Sequence, residues 1–185
     1  MAASLSRSSL NVLLSPLKLY IFSTLISLFS IMGLADTLQK NPTHDYQVVI
    51  ERDIRGVPHV LGERDVDAAF GLAYAQAEDH WALIESAIPF YRGTRASYVG
   101  REAAATDFIV HWLNIWETID SGYQTNLTKS SKEYLEAFAD GLNYYASLHP
   151  DRVDLDVLPV TPKDLVAGYM IQHLLFYGFQ ATLEE

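Results

Sequence analysis

The alternation of apolar and polar positions after residue 47 predicts a β-hairpin near the start of a folded domain. The β-branched run Val48–Ile50 leads directly into polar residues, which is typical of a strand that reaches a turn. Gly56 can adopt a positive φ, and Pro58 restricts the residue before it to extended geometry. Residues 53–58 are therefore predicted to form the turn, and residues 59–61 the returning strand.

A long amphipathic helix is predicted directly after the hairpin. Asp65 is a good N-cap residue, and apolar residues then recur at steps of three and four over about 20 positions. Pro89 is expected to end or kink this helix because proline removes a backbone donor. The predicted buried stripe consists of Val66, Ala69, Phe70, Ala73, Ala77, Trp81, Ile84 and Ile88.

Three further helices are predicted, over 106–120, 130–148 and 162 to about 178, and residues 91–100 are predicted to form a basic, glycine-bearing loop. The last helix begins with a capping pattern at Thr161 and is apolar around most of its circumference, so it is expected to be buried on all sides. The predicted fold is a helix-rich α+β domain with one β-hairpin and four main helices. One face of the second helix is predicted to contain Phe108, Ile109, Trp112, Ile115, Trp116 and Ile119.

Residues 1–35 have the pattern of a secretory signal peptide. They contain two basic residues and no acid, and residues 19–34 form an almost unbroken apolar run. The run ends in Gly33-Leu34-Ala35, a small-x-small cleavage pattern, and at about 16 residues it is short for a membrane span. The alternative is a retained anchor helix. We expect a periplasmic or secreted protein whose single folded domain, residues 36–185, does not contact a membrane after cleavage.

The composition of residues 36–185 narrows the classes of partner and chemistry. All 23 acidic residues but only 11 of the 13 basic residues lie in this part, which gives a net charge of −12. Such an acidic balance argues against nucleic acid or an anionic membrane surface as a partner. The absence of cysteine removes disulfides and thiolate chemistry.

The histidine and acidic residues give no strong metal signal. No two of the six histidines are three or four residues apart, so there is no paired-histidine metal motif. Glu78-Asp79-His80 is interpreted as a solvated helix face rather than a metal site, because adjacent helical residues point apart. His59 is interpreted as a turn residue, and His173 as a hydrogen-bonded core residue rather than a base.

Arginines beside glycine form a second group of candidates. Arg92 and Arg95 flank Gly93 and could bind a carboxylate in bidentate fashion. The alternative, which we favour, is that they form ion pairs fixing the loop to the rest of the fold. The same interpretation applies to Arg52 and Asp53, which are expected to lock the hairpin turn.

Two ordered sequence blocks resemble the start of the penicillin amidase family, which contains penicillin, cephalosporin, aculeacin and homoserine-lactone acylases. The first block is Arg52-Asp53-x-x-Gly56-Val57-Pro58-His59-Val60 followed by Phe70–Asp79, and the second is Tyr91–Gly100. Residues 138–145 are similar to a later helix of the same segment. The resemblance extends from about Val48 to the C-terminus.

The resemblance implies a fold, a reaction and a partner. Members of this family are N-terminal-nucleophile hydrolases, in which a precursor cuts itself and the new terminal Ser, Thr or Cys of a β chain attacks a linear, non-peptide amide. The products are a carboxylic acid and an amine, and no cofactor is required. This sequence covers the α-chain portion of that sandwich and lacks the nucleophile block. We therefore expect no catalytic residue in this chain, no activity of the chain alone, and a β chain of the same precursor or of a split gene as partner.

The resemblance also assigns site residues at the end of the last helix. This helix contributes to the acyl-side pocket in the family, and some members place a calcium-ligating Glu just beyond it. Glu184 matches that ligand, so the resemblance implies a structural calcium ion; the alternative is a solvated chain end. The matched pocket positions and their aromatic neighbours are Leu174, Phe176, Tyr177, Gly178 and Phe179.

A non-catalytic interpretation remains open at this point. A periplasmic helical interaction module, or a truncated remnant of an acylase, would contain the same residues. An in-frame continuation that encodes a nucleophile block would favour the enzyme, and a stop codon directly after Glu185 would favour the remnant.

Overall fold

The computed structural model describes residues 45–177, and the predicted signal peptide lies outside them. A hairpin of two antiparallel strands precedes a set of helices, which confirms the predicted helix-rich α+β fold. Short 3₁₀ turns lie at Arg101–Ala103, Pro150–Arg152 and Leu155–Val157. The elements are β1 Val48–Arg52, β2 Pro58–Gly62, α1 Asp65–Arg92, α2 Ala96–Val99, α3 Ala104–Trp112, α4 Ile115–Asn126, α5 Lys129–Leu148 and α6 Pro162–Phe176.

The hairpin turn is built by Asp53 and Gly56. The Asp53 carboxylate accepts hydrogen bonds from the backbone N–H groups of Arg55, at 2.8 Å, and Val57, at 2.9 Å. Gly56 adopts φ 82°, a conformation that side chains with a Cβ adopt only with strain. The two strands pair with Ile50 opposite Val60, on either side of the predicted turn.

A buried carboxylate joins the hairpin to helix α1. Asp67 is 1% exposed and accepts hydrogen bonds from the backbone N–H groups of Gln47 and Arg64, both at 3.1 Å. The Arg64 guanidinium binds the same carboxylate, with Nε at 2.9 Å. The prediction of Asp65 as the N-cap residue is wrong by one position, because Arg64 is the N-cap and Asp65 is the first helical residue.

Helix α1 packs closely against α5. A Cβ at Gly141 of α5 would lie 2.4 Å from the carbonyl oxygen of Phe70 and 2.9 Å from the Cβ of Ala73. Glycine therefore permits a separation between the two helices that a larger residue would prevent. Next to this contact, Trp81 of α1 and Tyr145 of α5 are buried with ring centroids 5.6 Å apart.

The long helix is interrupted at a different residue from the one predicted. Pro89 lies inside α1, which continues to Arg92 and ends at Gly93 with φ 66°. The non-helical backbone is at His80, with φ −140° and ψ 33°. The prediction that the proline would end or kink the helix is therefore wrong. Pro89 is buried and lies three residues before the end of the helix. The backbone hydrogen bond that proline cannot donate is therefore lost close to the helix end, and the helix continues past it.

The predicted second helix is two helices, α3 and α4. They are separated at Asn114, which has φ 50°. A single apolar face over 106–120 is therefore not formed, since the break changes the helical phase. Phe108 and Trp112 are 65% and 58% exposed, whereas Val110 is buried. The predicted loop 91–100 also differs, because it contains the last residues of α1 and the whole of α2.

Helix α6 is buried on one side rather than on all sides. Ala167, Gly168 and Ile171 face the interior, whereas Tyr169 is 64% exposed. The prediction that this helix is buried on all sides follows from its apolar residues and is wrong, because residues 45–177 pack against one side of the helix only. No helix among these residues has both the length and the apolar character to span a bilayer.

The free energy of unfolding is expected to fall in acid because the Asp67 carboxylate becomes protonated. The Arg64 side chain is the largest cause that lowers the pKa of this carboxyl, from the ordinary 3.8 to about 2, and the backbone donors act in the same direction. A pKa that is lower in the folded state contributes stability above pH 4, and that contribution is lost as the pH falls toward 2. Asp67→Asn should lower the free energy of unfolding at pH 7 by about 1–3 kcal/mol and remove this pH-dependent part.

Urea unfolding of the purified chain between pH 2 and pH 7 measures both effects. Asp65→Asn is the matched control, because Asp65 lies in the same turn and is exposed. Equal behaviour of the two variants would show that Asp67 does not join the hairpin to α1.

Candidate functional site

The N-terminus of α6 is anchored by a buried ion pair. The Asp164 carboxylate is fully buried and accepts hydrogen bonds from Nε and Nη2 of Arg92, at 2.8 and 2.9 Å. Arg92 also donates to the carbonyl oxygen of Pro159, and Thr161 donates to Asp164 through its backbone N–H and its hydroxyl. The carboxylate raises the pKa of Arg92. The interpretation of Arg92 as an ion pair that fixes the loop is confirmed.

Arg95 differs from Arg92. Its side chain makes no ion pair or hydrogen bond with any residue in the described range 45–177, so the predicted ion pair is not found there. The loop is held at this point by its backbone, because the N–H groups of Arg95 and Ala96 donate to Asp107 at 2.9 and 2.7 Å. His111 adds a contact of 2.9 Å between its Nε2 and the carbonyl oxygen of Gly93.

The acidic residues of α1 are engaged by the hairpin. Arg52 donates to the carbonyl oxygen of Gly56 at 2.8 Å, to Asp79 at 3.1 Å and to Glu78 at 3.0 Å. This contact confirms that Arg52 helps to lock the turn. His80 lies at the kink of α1 and is exposed. Within residues 45–177 no group of three or more His, Cys, Asp or Glu side chains could hold a metal ion.

The predicted pocket residues that the structure describes are divided between two environments. Phe176 and Tyr177 are 82% and 79% exposed, and their ring centroids are 5.8 Å apart in an edge-on arrangement. Leu174 is half-buried and packs against the core cluster that contains Ile171. Gly178, Phe179 and Glu184 lie outside the described residues, so the full pocket and the calcium ligand stay predictions.

Three rings along α6 form a feature that the sequence reasoning missed. The centroids of Tyr169 and His173 are 4.3 Å apart, and those of His173 and Tyr177 are 5.8 Å apart with nearly parallel planes. We call these three residues the α6 ring ladder. Their spacing of four residues places them on one helix face. This spacing can be read from the sequence and could have predicted the contact between the rings. The interpretation of His173 as a hydrogen-bonded core residue is wrong, since its ring is half-exposed and contacts tyrosine rings.

The described part of the chain contains no paired nucleophile and base. The hydroxyls of Ser86, Ser97, Ser121 and Ser147 donate to carbonyl oxygens three residues earlier. Ser130 and Ser131 interact with Thr128 at the start of α5. Among residues 45–177, therefore, no serine hydroxyl is hydrogen bonded to a histidine. The exposed end of α6 offers an apolar, aromatic contact surface.

The different environments of Arg92 and Arg95 predict different costs of substitution. Arg92→Met would leave the buried Asp164 carboxylate without its cationic partner, so we expect a loss of about 3–5 kcal/mol in the free energy of unfolding. Arg95→Met is the matched control and should change that free energy by less than about 0.5 kcal/mol. Urea unfolding of the two purified variants at pH 7 gives the comparison. Similar losses in both would contradict the assignment of the ion pair as the anchor of α6.

Comparison with known proteins identifies relatives of this chain. It is 30% identical over 131 residues to an acyl-homoserine lactone acylase PvdQ of Pseudomonas fluorescens (strain Pf0-1), covering 66% of this chain and 16% of that protein. It is 26% identical over 164 residues to the penicillin acylase 2 proenzyme of Pseudomonas sp. (strain SE83), covering 88% of this chain and 19% of that protein. The chain thus spans less than a fifth of these curated relatives.

A solved structure supports the same relationship. The thermostable penicillin G acylase from Alcaligenes faecalis, in its tetragonal form, matches with a TM-score of 0.58 and 25% identity, covering 69% of this chain and 72% of that chain. The family model described as penicillin amidase matches residues 47–185, three-quarters of the 185-residue sequence. The chain therefore belongs to the penicillin amidase family.

Proposed function

We propose that this chain is the α-chain portion of an acylase that hydrolyses a small, linear, non-peptide amide to a carboxylic acid and an amine. The observation that carries the proposal is the exposure of Tyr177, which matches an acyl-side pocket position by the resemblance, and of Phe176 beside it. The family membership and the acylase relatives support the reaction class.

The exposed end of α6 supports a β chain as the partner. Burying one large apolar side chain contributes about 1.5–3 kcal/mol, so leaving Leu175, Phe176 and Tyr177 in water costs several kcal/mol. That amount is comparable to the whole stability of a small domain. A β chain, from the same precursor or a split gene, would cover part of this surface and leave the rest to the acyl group.

In this proposal the chemistry and the binding are divided between two chains. A terminal nucleophile of the β chain attacks the amide carbon, its own α-amine takes the proton, and preorganised donors stabilise the oxyanion. The C–N bond then breaks and the amine leaves with that proton, after which water hydrolyses the acyl-enzyme to the carboxylic acid. This chain contributes no catalytic residue. Its part is to bind the acyl group beside Tyr177, so that the amide is held near the nucleophile in a productive orientation.

A structural calcium ion at Glu184 belongs to the same proposal. Residues 45–177 contain no group of three or more His, Cys, Asp or Glu side chains that could hold a metal ion, so they do not form such a site by themselves. The ion would stabilise the junction of the two chains and would take no part in bond cleavage.

Export to the periplasm or the medium completes the proposal, with residues 1–35 removed as a signal peptide. The intact mass and N-terminal sequence of the exported protein should correspond to a chain that begins at Asp36. Ala35→Phe should block cleavage, because the small residue at the cut is lost, whereas the control Gly33→Ala keeps a small residue and should still be cleaved. A membrane-bound protein that begins near Met1 would contradict the signal peptide and favour the anchor helix.

The chain alone is expected to release no amine from a chromogenic phenylacetyl or fatty-acyl amide. Co-expression with the coding sequence of its own β chain should give turnover, because only the β chain supplies the nucleophile. Replacement of that terminal nucleophile by alanine is the control, and it should abolish turnover while the two chains remain associated. Turnover by the purified chain alone would overturn the division of roles. Absence of turnover with the β chain would favour a non-catalytic interaction module.

A further inference from the structure

We infer that His173 is a positioning residue, which holds the ring of Tyr177 in one orientation and so favours planar aromatic acyl groups over linear ones. The inference rests on the proposed function, since it takes Tyr177 to contact the acyl group. It concerns a residue that the resemblance does not assign to the pocket. Three observations on α6 carry it.

The first observation is the α6 ring ladder itself. The ring of His173 contacts Tyr169 on one side and Tyr177 on the other, with centroid separations of 4.3 and 5.8 Å. The planes of His173 and Tyr177 differ by only 20°. Aromatic pairs at such separations prefer particular relative orientations, so His173 biases the plane of the Tyr177 ring.

The second observation is the small number of contacts that hold Tyr177. Leu174 packs against the core, but Leu175, Phe176 and Tyr177, which follow it, are all exposed. The backbone N–H of Tyr177 donates to the carbonyl oxygen of His173 at 3.0 Å. Any residue at position 173 would accept this backbone bond, so the ring contact alone depends on the histidine side chain. Phe176 meets the Tyr177 ring edge-on and restricts it from a second direction.

The third observation is that most of the Tyr177 surface stays open. The residue is 79% exposed although its ring contacts two others. A ring that is fixed in orientation and open to a ligand can form offset-stacked or edge-on contacts with a planar acyl group, and these contacts depend on angle. Contacts with a flexible alkyl chain are dispersive and depend little on ring orientation. Loss of the His173 ring should therefore affect the two substrate classes differently.

The test uses the chain assembled with its own β chain and compares His173→Ala with His173→Phe. His173→Ala should raise KM for a phenylacetyl amide about three- to tenfold, with kcat and the KM for a linear acyl amide within about twofold. His173→Phe keeps a ring and should restore the phenylacetyl KM. Gln172→Ala is the matched control, because Gln172 is exposed on α6 and outside the ladder.

A second readout follows the ring without turnover. With 3-fluorotyrosine at position 177, His173→Ala should shift and alter the width of the fluorine resonance, whereas His173→Phe and Gln172→Ala should change it little. An unchanged resonance, or an equal loss on both substrate classes, would overturn the inference while leaving the proposed function in place. A wild-type assembly without amidase activity would instead overturn the proposed function, and the inference with it.

Discussion

The arrangement of this domain depends on the close contact between α1 and α5. The carbonyl oxygen of Phe70 lies so near Gly141 that no side chain fits between the two helices at this point. The rest of the fold is built from the two ends of α1. The hairpin lies across its N-terminal half, where Val48 and Val60 contact Gly71, and Arg92 at its C-terminal end holds α6. A change in the separation of α1 and α5 would therefore shift α5 relative to both the hairpin and α6.

The sequence predicted this framework where a single local rule decides the structure. The hairpin register follows from alternation and the turn residues, and the start of α6 follows from the Thr161–Asp164 capping box. At Asn114 and Pro89 the hydrophobic period and the conformational preference of a single residue favour different structures. Asn114 takes a left-handed conformation in the middle of an apolar period, and the period alone gives no sign of it. Pro89 gives the opposite case, because a strong helix breaker is accommodated when the helix end is packed against other elements.

The candidate site was predictable in part and for a physical reason. The family resemblance identified residues at the end of α6 as pocket residues. It did not predict whether each side chain is exposed or buried, and Leu174 packs against the core. The sequence predicted that Arg92 forms an ion pair. It did not predict the partner, because Asp164 is 72 residues away and pairing at such a distance leaves no local pattern. The environment of His173 was not predicted because histidine chemistry suggests hydrogen bonding, whereas its neighbours four residues away on each side are rings.

The buried carboxylates and the exposed end of α6 thus have separate roles. The buried carboxylates Asp67, Asp107 and Asp164 each accept hydrogen bonds from groups within this chain, so they fix loops and helix ends and have little capacity left for a ligand. Tyr177, by contrast, lies at the end of a helix that is anchored 13 residues earlier, at Asp164. A helix rises about 1.5 Å per residue, so that anchor is about 20 Å from the exposed turn. Over such a distance a remote ion pair sets the direction of the helix axis, but it does not fix the orientation of a terminal ring. Orientation at the end of α6 must come from local contacts, and in the described residues these are His173 and Phe176.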